Sequence, residues 1–212
     1  RRVMTANKES LVAAGRLVTA EARRRGAEII PVDSEHSAVF QTLRAVDPAE
    51  VSRVVITASG GPFLHRKDVR GATPEEAAAH PKWNMGRKTS VDSATLMNKG
   101  LELIEASVLF DLPPEKISIV IHPQSIVHCI VELTDGSISA HAAPTDMKLP
   151  IQYALTHPAR LPVPGVPPLS ALDLADLTFL EPDERRFPCL RIAAEALEAG
   201  GAAPAILSAA DE

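Results

Sequence analysis

Apolar positions recur along the first part of the chain at spacings typical of alternating helices and strands. The residues from Lys8 to Arg24 predict an amphipathic helix that Gly26 ends. The apolar positions that we expect to face the core are Leu11, Val12, Leu17 and Val18. A short strand over 27–32, a helix over 34–43 and a β-branched strand over 51–59 follow. Helices that alternate with strands in this way predict an α/β layer.

The second half predicts one long helix, a hairpin and a helical end. Residues 90–110 give the strongest helical pattern in the chain, and a strand over 117–122 follows. Asp135-Gly136 between the apolar stretches 127–133 and 137–143 is typical of a tight hairpin turn. Helices are predicted over 146–156, 183–199 and 203–210. The predicted fold class is therefore α/β (α+β), with a small mixed sheet, helices packed on it and a helical C-terminal segment.

Composition narrows the class of protein. The chain has 212 residues, of which 45% are hydrophobic, and a formal net charge of −5 without a basic tract. We expect no nucleic-acid partner, because binding to phosphate backbones needs clustered Lys and Arg. No apolar run approaches the length of a membrane span, so no membrane partner is expected either. The two cysteines, Cys129 and Cys189, are expected to be reduced thiols of a cytoplasmic protein.

Two acidic residues follow the predicted strand over 27–32. Asp33 and Glu35 are spaced so that both carboxylates point the same way in extended geometry. The carboxyl ends of strands are where α/β sheets place their ligands, and Ser34 lies near a helix N-terminus that favours anions. The alternative is that Asp33 only caps the helix and Glu35 is a first-turn acid.

The long helix adds a polar face to this picture. Asn98, Glu102 and Glu105 share one side of it, and Ser93 and Lys99 lie close by. If Glu102 meets the strand-end acids, three carboxylates form an oxygen site that suits Mg²⁺ or Mn²⁺ better than zinc. The alternative for a helix taken alone is a solvated face with a Lys99–Glu102 pair.

An anion site and a lid complete the candidate chemistry. Ser59-Gly60-Gly61 ends a strand and lets the backbone approach a ligand, although a plain turn is the alternative. With Ser93, Asn98 and Lys99 it offers the groups that hold a phosphate monoester. Residues 64–89 predict a long loop with a short helix over 74–79. Its His80 and Trp83 indicate a lid that excludes water, or a surface loop anchored by Trp83.

Several long motifs in the chain resemble one family, the 1-deoxy-D-xylulose 5-phosphate reductoisomerases. They span most of residues 6–155. The matching stretches are ANKESLVAAG (6–15), PVDSEH (31–36), SGGPF (59–63), HPKWNMGRKTSVDSATLMNKGLELIEA (80–106), IHPQSIVH (121–128) and DMKLPI (146–151).

The resemblance implies a role for individual positions. It implies metal ligation by Asp33, Glu35 and Glu102, and catalytic roles for Lys8, Glu35, His80 and Glu102. The substrate contacts that it implies, several of them around a phosphate, are Lys8, Ser34, Glu35, Ser59, His80, Ser93, Asn98, Lys99 and Glu102. It places Asn7, Glu9 and Gly86 near a nicotinamide cofactor and makes His80 to Lys88 a flap that closes through Trp83 and Met85. Ser125 and His128 match positions behind the site.

The family pattern also implies a domain organisation. Residues 1–26 match the end of an NADPH-binding domain, 27–157 a catalytic domain, 158–182 a proline-rich linker and 183–212 the start of a helical domain. No G-x-G-x-x-G segment is present, so we expect a fragment that is inactive alone. The tail Ser208-Ala209-Ala210-Asp211-Glu212 departs from the Asn-rich segment that is usual there.

The implied activity is the NADPH-dependent conversion of 1-deoxy-D-xylulose 5-phosphate to 2-C-methyl-D-erythritol 4-phosphate, an isoprenoid precursor. The implied cofactors are NADPH and Mg²⁺ or Mn²⁺, with Co²⁺ as a further candidate. The implied protein is a cytoplasmic bacterial homodimer that binds a sugar phosphate. The alternatives are a non-catalytic sugar-phosphate-binding or dimerisation module and a metal-dependent phosphatase, although the sequence lacks a nucleophile motif for the latter.

Overall fold

The structure is a computed structural model that describes residues 1–83 and 85–212. The strands are β1 (Arg2–Thr5), β2 (Glu28–Pro31), β3 (Val51–Ala58), β4 (Ile117–Ile121), β5 (Val127–Leu133) and β6 (Ile138–Ala142). The helices are α1 (Lys8–Arg24), α2 (Ser34–Leu43), α3 (Pro74–Ala78), α4 (Arg87–Thr95), α5 (Met97–Phe110), α6 (Lys148–Thr156), α7 (Cys189–Ala199) and α8 (Ala203–Asp211). Short 3-10 turns lie at Pro48–Glu50, Pro114–Lys116 and Ala171–Leu174.

The six strands form two sheets. β1 and β2 form a parallel pair, and the second sheet is mixed, with strand order β4-β3-β5-β6. β3 runs parallel to β4 and antiparallel to β5, which continues into β6 as the predicted hairpin. The predicted fold class is confirmed. The carboxyl ends of β1, β2 and β3 lead directly to Lys8, Asp33 and Ser59, so the topology gathers the predicted polar residues.

Helix α5 lies at the centre of the helical layer. It contacts α1 on one side and α7 on the other. Leu101 and Ile104 are fully buried with Val54 and Ile56 of β3 in one apolar cluster. A Cβ on Gly100 would lie 2.6 Å from the Cβ of Ala193, so only glycine permits this approach of α7 to α5. The polar face of α5 is therefore held against the strand ends by packing on its other faces.

The prediction of one long helix over 90–110 is wrong. Leu96 adopts a left-handed conformation, φ +62°, and separates α4 from α5. This backbone state is unfavourable for a side chain with a Cβ, and Leu96 is only 3% exposed. Burial of the leucine side chain therefore offsets the local strain. The spacing of apolar residues along 90–110 does not predict the break at Leu96.

Two smaller expectations also need correction. The helix predicted over 183–199 begins only at Cys189, because Asp183 accepts from the backbone N–H groups of Arg186 and Phe187 in a separate turn and Pro188 then starts the helix. Leu17 and Val18 do not face the core: they are 76% and 38% exposed. The non-helical Ala14, φ −137°, turns the second half of α1 away from the face that Leu11 begins.

The predicted linker is not free along its whole length. Ile121 at the end of β4 exchanges two backbone hydrogen bonds with Leu180, of 2.8 and 2.9 Å. The segment before α7 therefore lies along the carboxyl end of β4. Among the described residues, no helix combines the length and apolar character that crossing a bilayer requires.

Candidate metal and phosphate site

The predicted site residues surround one cavity at the carboxyl ends of β1, β2 and β3. Its volume is about 420 Å³, within the range of small-molecule sites. The sequence-predicted residues that line it are Lys8, Glu9, Asp33, Ser34, Glu35, Ser59, His80, Trp83, Met85, Ser93, Asn98, Lys99 and Glu102. Ala6, Ala58, Gly60, Thr89, Leu96 and Met147 complete the lining. Residues more than ninety positions apart in the sequence thus share one wall.

Lys8 joins two of the predicted metal ligands. Its ammonium nitrogen lies 2.7 Å from Oδ2 of Asp33 and 2.8 Å from Oε1 of Glu102. It also donates to Oδ1 of Asn98 at 2.8 Å. Asp33 is at the N-cap position of α2, but its side chain makes no capping hydrogen bond there. The alternative that Asp33 only caps the helix is therefore wrong.

Lys99 joins the third ligand to the same group. Its ammonium nitrogen lies 2.9 Å from Oε1 of Glu35 and 2.5 Å from Oε2 of Glu102. Lys99 and Glu102 are 4% and 1% exposed, so the solvated-face alternative is wrong. We call the five side chains of Lys8, Asp33, Glu35, Lys99 and Glu102 the carboxylate cluster. Lys99 lies between carboxylates here, whereas the sequence predicts it beside a phosphate.

Burial and charge act against each other throughout the carboxylate cluster. Burial lowers the pKa of Lys8, but Asp33 and Glu102 outweigh it and hold that pKa well above its usual range. Burial and Asp33 favour a higher pKa for Glu102, yet Lys8 and Lys99 prevail and lower it. Burial and the charge of Glu102 raise the pKa of Glu35 to about 7. The positive charges of Lys8 and Lys99 thus do not fully offset the burial of the three carboxylates and their mutual repulsion.

His36 and Glu105 support the cluster from behind, although neither was among the predicted site residues. Nδ1 of His36 lies 3.4 Å from Glu105 Oε2 and 3.8 Å from Asp33 Oδ1. Nε2 of His36 donates to the backbone carbonyl of Glu102 at 2.9 Å. Burial lowers the pKa of His36, but Glu105 and Asp33 raise it to about 9. The signal in the sequence was spacing: His36 is one helical turn after Asp33, and Glu105 one turn after Glu102.

The break at Leu96 explains how α4 and α5 serve one cavity. Ser93 and Glu102 are nine positions apart, so an unbroken helix would place them on opposite faces, about 180° apart. The left-handed turn at Leu96 reorients α5 relative to α4. Both side chains consequently line the same cavity.

The other end of the cavity is built from backbone. Residues 59–64, which we call the phosphate loop, contain Gly60 and Gly61 with φ of +85° and +67°. A Cβ on Gly61 would lie 2.5 Å from the carbonyl oxygen of Ser93, so only glycine lets the loop pack on α4. The Ser59 hydroxyl accepts from the Gly61 N–H at 3.2 Å and pairs with His80 Nε2 at 2.8 Å.

The predicted lid lies over this end. Nδ1 of His80 accepts from the backbone N–H of Trp83 at 2.8 Å, and burial lowers the pKa of His80. With Nδ1 as acceptor, a neutral His80 presents an Nε2–H donor to Ser59. Trp83 and Met85 both line the cavity. Position 84, inside the predicted lid, lies outside the described residues.

The remaining predicted residues lie at the rim or behind the cavity. Asn7 caps α1 through Ser10 and donates to Glu9 at 2.9 Å, and Gly86 is the exposed N-cap of α4. Asn7 and Gly86 do not line the cavity. His128 lines a neighbouring cavity of about 340 Å³, which meets the first at Ser34 and Trp83.

The donor chemistry fits a hard divalent cation. Possible ligand atoms of Asp33, His36 and Glu102 lie within 4.8 Å of one another. A protonated His36 has no lone pair to offer a metal, so it orients Asp33 instead. The oxygen donors that remain, Asp33, Glu102 and the Lys99-linked Glu35, suit Mg²⁺ or Mn²⁺.

Comparison with known proteins gives a consistent answer. The family model described as "1-deoxy-D-xylulose 5-phosphate reductoisomerase C-terminal domain" matches residues 29–110, and that described as "DXP reductoisomerase C-terminal domain" matches 142–212. The chain belongs to the 1-deoxy-D-xylulose 5-phosphate reductoisomerase family. The reductoisomerase of Symbiobacterium thermophilum is 57% identical over 210 residues, which are 99% of this chain and 54% of that protein. That of Pseudomonas syringae pv. tomato is 52% identical over 219 residues, covering 100% of this chain and 55% of the relative.

Solved reductoisomerase structures share the fold. A complex described as holding NADPH, fosmidomycin and magnesium superposes with a TM-score of 0.87 at 46% identity, over 94% of this chain and 52% of that chain. The reductoisomerase of Zymomonas mobilis in complex with NADPH gives a TM-score of 0.88 at 45% identity, over 99% and 54%. The chain therefore spans about half the length of the reductoisomerases that it matches.

Proposed function

We propose that the protein is an NADPH- and divalent-metal-dependent reductoisomerase that converts 1-deoxy-D-xylulose 5-phosphate to 2-C-methyl-D-erythritol 4-phosphate. The observation that supports this most directly is the carboxylate cluster, which opens into the same cavity as Ser59, Ser93 and His80. The cavity thus offers a hard-cation site and phosphate-binding donors together. Such a pair of subsites suits a short sugar phosphate that chelates a metal through its oxygens.

In this proposal, the carbon skeleton of the substrate rearranges at the end of the cavity that the carboxylate cluster forms. Asp33, Glu35 and Glu102 would hold the divalent ion, which when bound stabilises negative charge on the substrate oxygens as carbon–carbon bonds break and form. The Lys8 ammonium, fixed by Asp33 and Glu102, adds a permanent positive charge beside those oxygens. His36 and Glu105 keep Asp33 in place without touching the substrate.

The phosphate end supplies binding and orientation. The Ser59 and Ser93 hydroxyls and the Asn98 amide are donors that suit a phosphate monoester, and Lys99 lines the same cavity. Holding the phosphate fixes the reacting carbons at the cluster, so remote binding energy contributes to the rate. Trp83 and Met85 reduce access of water over the substrate. NADPH supplies the hydride, and Asn7, Glu9 and Gly86 are the residues of this chain proposed to lie beside it.

The test uses the product of the complete reading frame that contains this sequence. We expect loss of NADPH absorbance that requires both 1-deoxy-D-xylulose 5-phosphate and Mg²⁺ or Mn²⁺, with 2-C-methyl-D-erythritol 4-phosphate as the product. Release of inorganic phosphate from the substrate would identify a phosphatase instead. Binding of the substrate without turnover would support a non-catalytic module and contradict the proposal.

We further propose that these 212 residues alone bind metal and phosphate without turnover. The sequence contains no G-x-G-x-x-G segment for the cofactor pyrophosphate, while the carboxylate cluster is complete. Titration of the purified chain with Mn²⁺ should show one site, and NADPH with substrate should stay unreacted. Steady NADPH oxidation by the 212-residue chain would contradict this.

The proposal includes a homodimer in the bacterial cytoplasm. Within the described residues, β6 pairs only with β5, and Ile138 on it is 64% exposed. An unpaired strand edge of this kind accepts a second strand. Light scattering on the complete protein should give twice the monomer mass, and Ile138→Asp should shift it toward the monomer. A monomeric wild type would refute the dimer without affecting the proposed reaction.

A further inference from the structure

Arg186 lies outside the cavity, yet it bonds the phosphate loop. Its Nη2 donates to the carbonyl of Leu64 at 2.9 Å and to that of Phe63 at 3.3 Å. Arg186 precedes α7, in the C-terminal helical segment, 122 positions away from Leu64 in the sequence. The C-terminal segment therefore reaches back to a loop that forms one wall of the site.

The guanidinium group is held firmly on its own side. Its central carbon lies 4.5 Å from the ring centre of Phe187, which is buried. The Arg186 side chain is only 23% exposed. Hydrogen bonds from a charged donor to carbonyl oxygens are stronger than those between neutral groups. Arg186 thus bonds the end of the phosphate loop from a partly buried position.

The loop transmits this constraint to Ser59. The Leu64 N–H donates to the carbonyl of Gly61 at 3.4 Å, which closes a turn. A Cβ on Gly60 would lie 2.9 Å from Cδ1 of Leu64, so that side chain packs directly on Gly60. The Gly61 N–H in turn donates to the hydroxyl of Ser59. A shift at Leu64 would therefore move both the glycines and Ser59.

The opposite side of the loop rests on α4. Gly61 packs on the carbonyl of Ser93, where even a methyl group would not fit. The phosphate loop is consequently clamped between α4 and Arg186. Removal of one side of the clamp frees the loop to move away from Ser93.

The segment before α7 is itself fixed to the sheet. Nδ1 of His122 donates to the carbonyl of Thr178 at 2.8 Å, and the His122 ring stacks on Phe179 at 4.7 Å. Gln124 donates to the carbonyl of Asp176 at 2.9 Å. Arg186 thus extends from a segment that is already attached at the strand ends, which makes it a fixed reference for the loop.

We propose that Arg186 is a positioning residue for the phosphate subsite, which it shapes by clamping the phosphate loop through the Phe63 and Leu64 carbonyls. This inference rests on the proposed function, because that function assigns Ser59 and Ser93 to the substrate phosphate. It predicts that changes at Arg186 affect the binding of phosphate groups far more than the chemistry at the carboxylate cluster.

The test compares three variants of the complete protein. Arg186→Met keeps an unbranched side chain but removes the donors and the guanidinium group that lies on Phe187, and Arg186→Lys restores a cationic donor. Arg185→Met is the matched control, because Arg185 is the exposed neighbour of the same type. We expect Arg186→Met to raise KM for the sugar phosphate about tenfold, the scale of losing charged hydrogen bonds. We expect kcat to change less than about twofold, KM for NADPH to stay constant and Arg186→Lys to recover part of the loss.

The dissociation constant for inorganic phosphate, measured by ³¹P line broadening on the same proteins, keeps the two proposals separate. If the wild type does not turn over the sugar phosphate, the proposed function fails, and weaker phosphate binding by Arg186→Met still supports the clamp. Unchanged KM and unchanged phosphate binding in a folded Arg186→Met overturn it, as does an equal effect of Arg185→Met. If Arg186→Met does not fold, Arg186→Gln, which removes the charge and shortens the side chain, decides: a raised phosphate dissociation constant supports the clamp, and an unchanged one refutes it.

Discussion

The two ends of the cavity are built in different ways. In the carboxylate cluster, buried side chains from α1, α5 and the start of α2 bond one another directly, and each ammonium group has two carboxylate partners. At the phosphate end, the shape comes from left-handed glycines, a carbonyl of α4 and a clamp from a distant arginine. The carboxylate cluster is therefore a network of charges with shared partners. The phosphate end is a stretch of backbone that a few contacts hold in place.

This difference predicts how each end responds to change. Substitution of a single carboxylate in the cluster alters its charge but leaves both ammonium groups with a carboxylate partner, so the chemistry is lost before the fold. A single substitution in the phosphate loop alters the backbone, so geometry and stability change together. The predictions below test this contrast.

The largest effect is expected for Glu102→Gln in the complete protein. The change removes a proposed metal ligand, whereas Lys8 keeps Asp33 and Lys99 keeps Glu35. We expect metal-dependent activity to fall about 1000-fold and the free energy of unfolding to fall by only about 1–2 kcal/mol. Steady-state kinetics and thermal unfolding measure the two quantities.

Glu198→Gln is the control for Glu102→Gln, because Glu198 is an exposed acid on α7. It should leave both quantities unchanged. Turnover near the wild-type rate in Glu102→Gln would remove Glu102 from the ligand set. Loss of the fold in that variant would show that the network is less redundant than its contacts indicate.

A smaller effect is expected for Gly61→Ala. The methyl group would need a left-handed backbone and would meet the Ser93 carbonyl at 2.5 Å, so we expect a loss of about 2–3 kcal/mol of stability. We also expect phosphate to bind about tenfold more weakly, as the loop moves off α4. Metal affinity should change little, because the carboxylate cluster does not depend on this loop.

Gly71→Ala is the control that separates the backbone strain of a positive φ from the steric clash of a new methyl group. Gly71 has a similar φ of +73°, but nothing lies near the position of a Cβ. It should lose about 1 kcal/mol of stability and keep phosphate binding intact. Equal effects of the two alanines on phosphate binding would contradict the role assigned to the contact between the phosphate loop and α4.

The smallest effect is the pH dependence of metal binding. The pKa of Glu35 is raised to about 7 by burial and Glu102, so its proton must leave before the carboxylate binds a cation. Affinity for Mn²⁺ should therefore be highest above pH 7 and fall about tenfold for each pH unit below it. His36, with its pKa raised to about 9, stays charged over this range. Burial also raises the pKa of Glu105 to about 7, but Glu105 is not one of the proposed metal ligands.

Calorimetry at pH 6 in two buffers of different ionisation enthalpy measures the proton released with metal binding. Release of close to one proton is expected at that pH. Metal affinity that does not change between pH 6 and pH 8 would mean that Glu35 is already ionised or does not bind the cation.

Local patterns predicted a large part of the fold. α1 and α2 begin and end where apolar spacing, Gly26 and the strand-end acids indicated, and the hairpin turn lies at Asp135-Gly136. In these segments, apart from the second half of α1 with its exposed Leu17 and Val18, local propensity and tertiary packing agree. They disagree at Leu96, where burial of one leucine overrides the helical pattern on both sides. A pattern of apolar residues does not contain that information, because the deciding contacts come from other elements.

The candidate site was predictable in its residue types but not in its connections. Spacing alone left Asp33 as a cap and Glu102 on a solvated face as open alternatives, and the family motifs supplied the grouping. Neither source placed Lys99 between two carboxylates or gave Arg186 a role. The first depends on how α5 packs beside the start of α2, and the second on where the segment before α7 packs. The partners in both cases are far apart in the sequence.

The left-handed turn at Leu96 has a consequence for how this chain tolerates insertions and deletions. One residue added to α5 between Leu96 and Asn98 would rotate the rest of that helix by about 100° about its own axis, if Leu96 keeps its conformation. Asn98, Lys99 and Glu102 would leave the cavity together, although every one of them would still be present. At this point of the chain, the number of residues matters more than their identity.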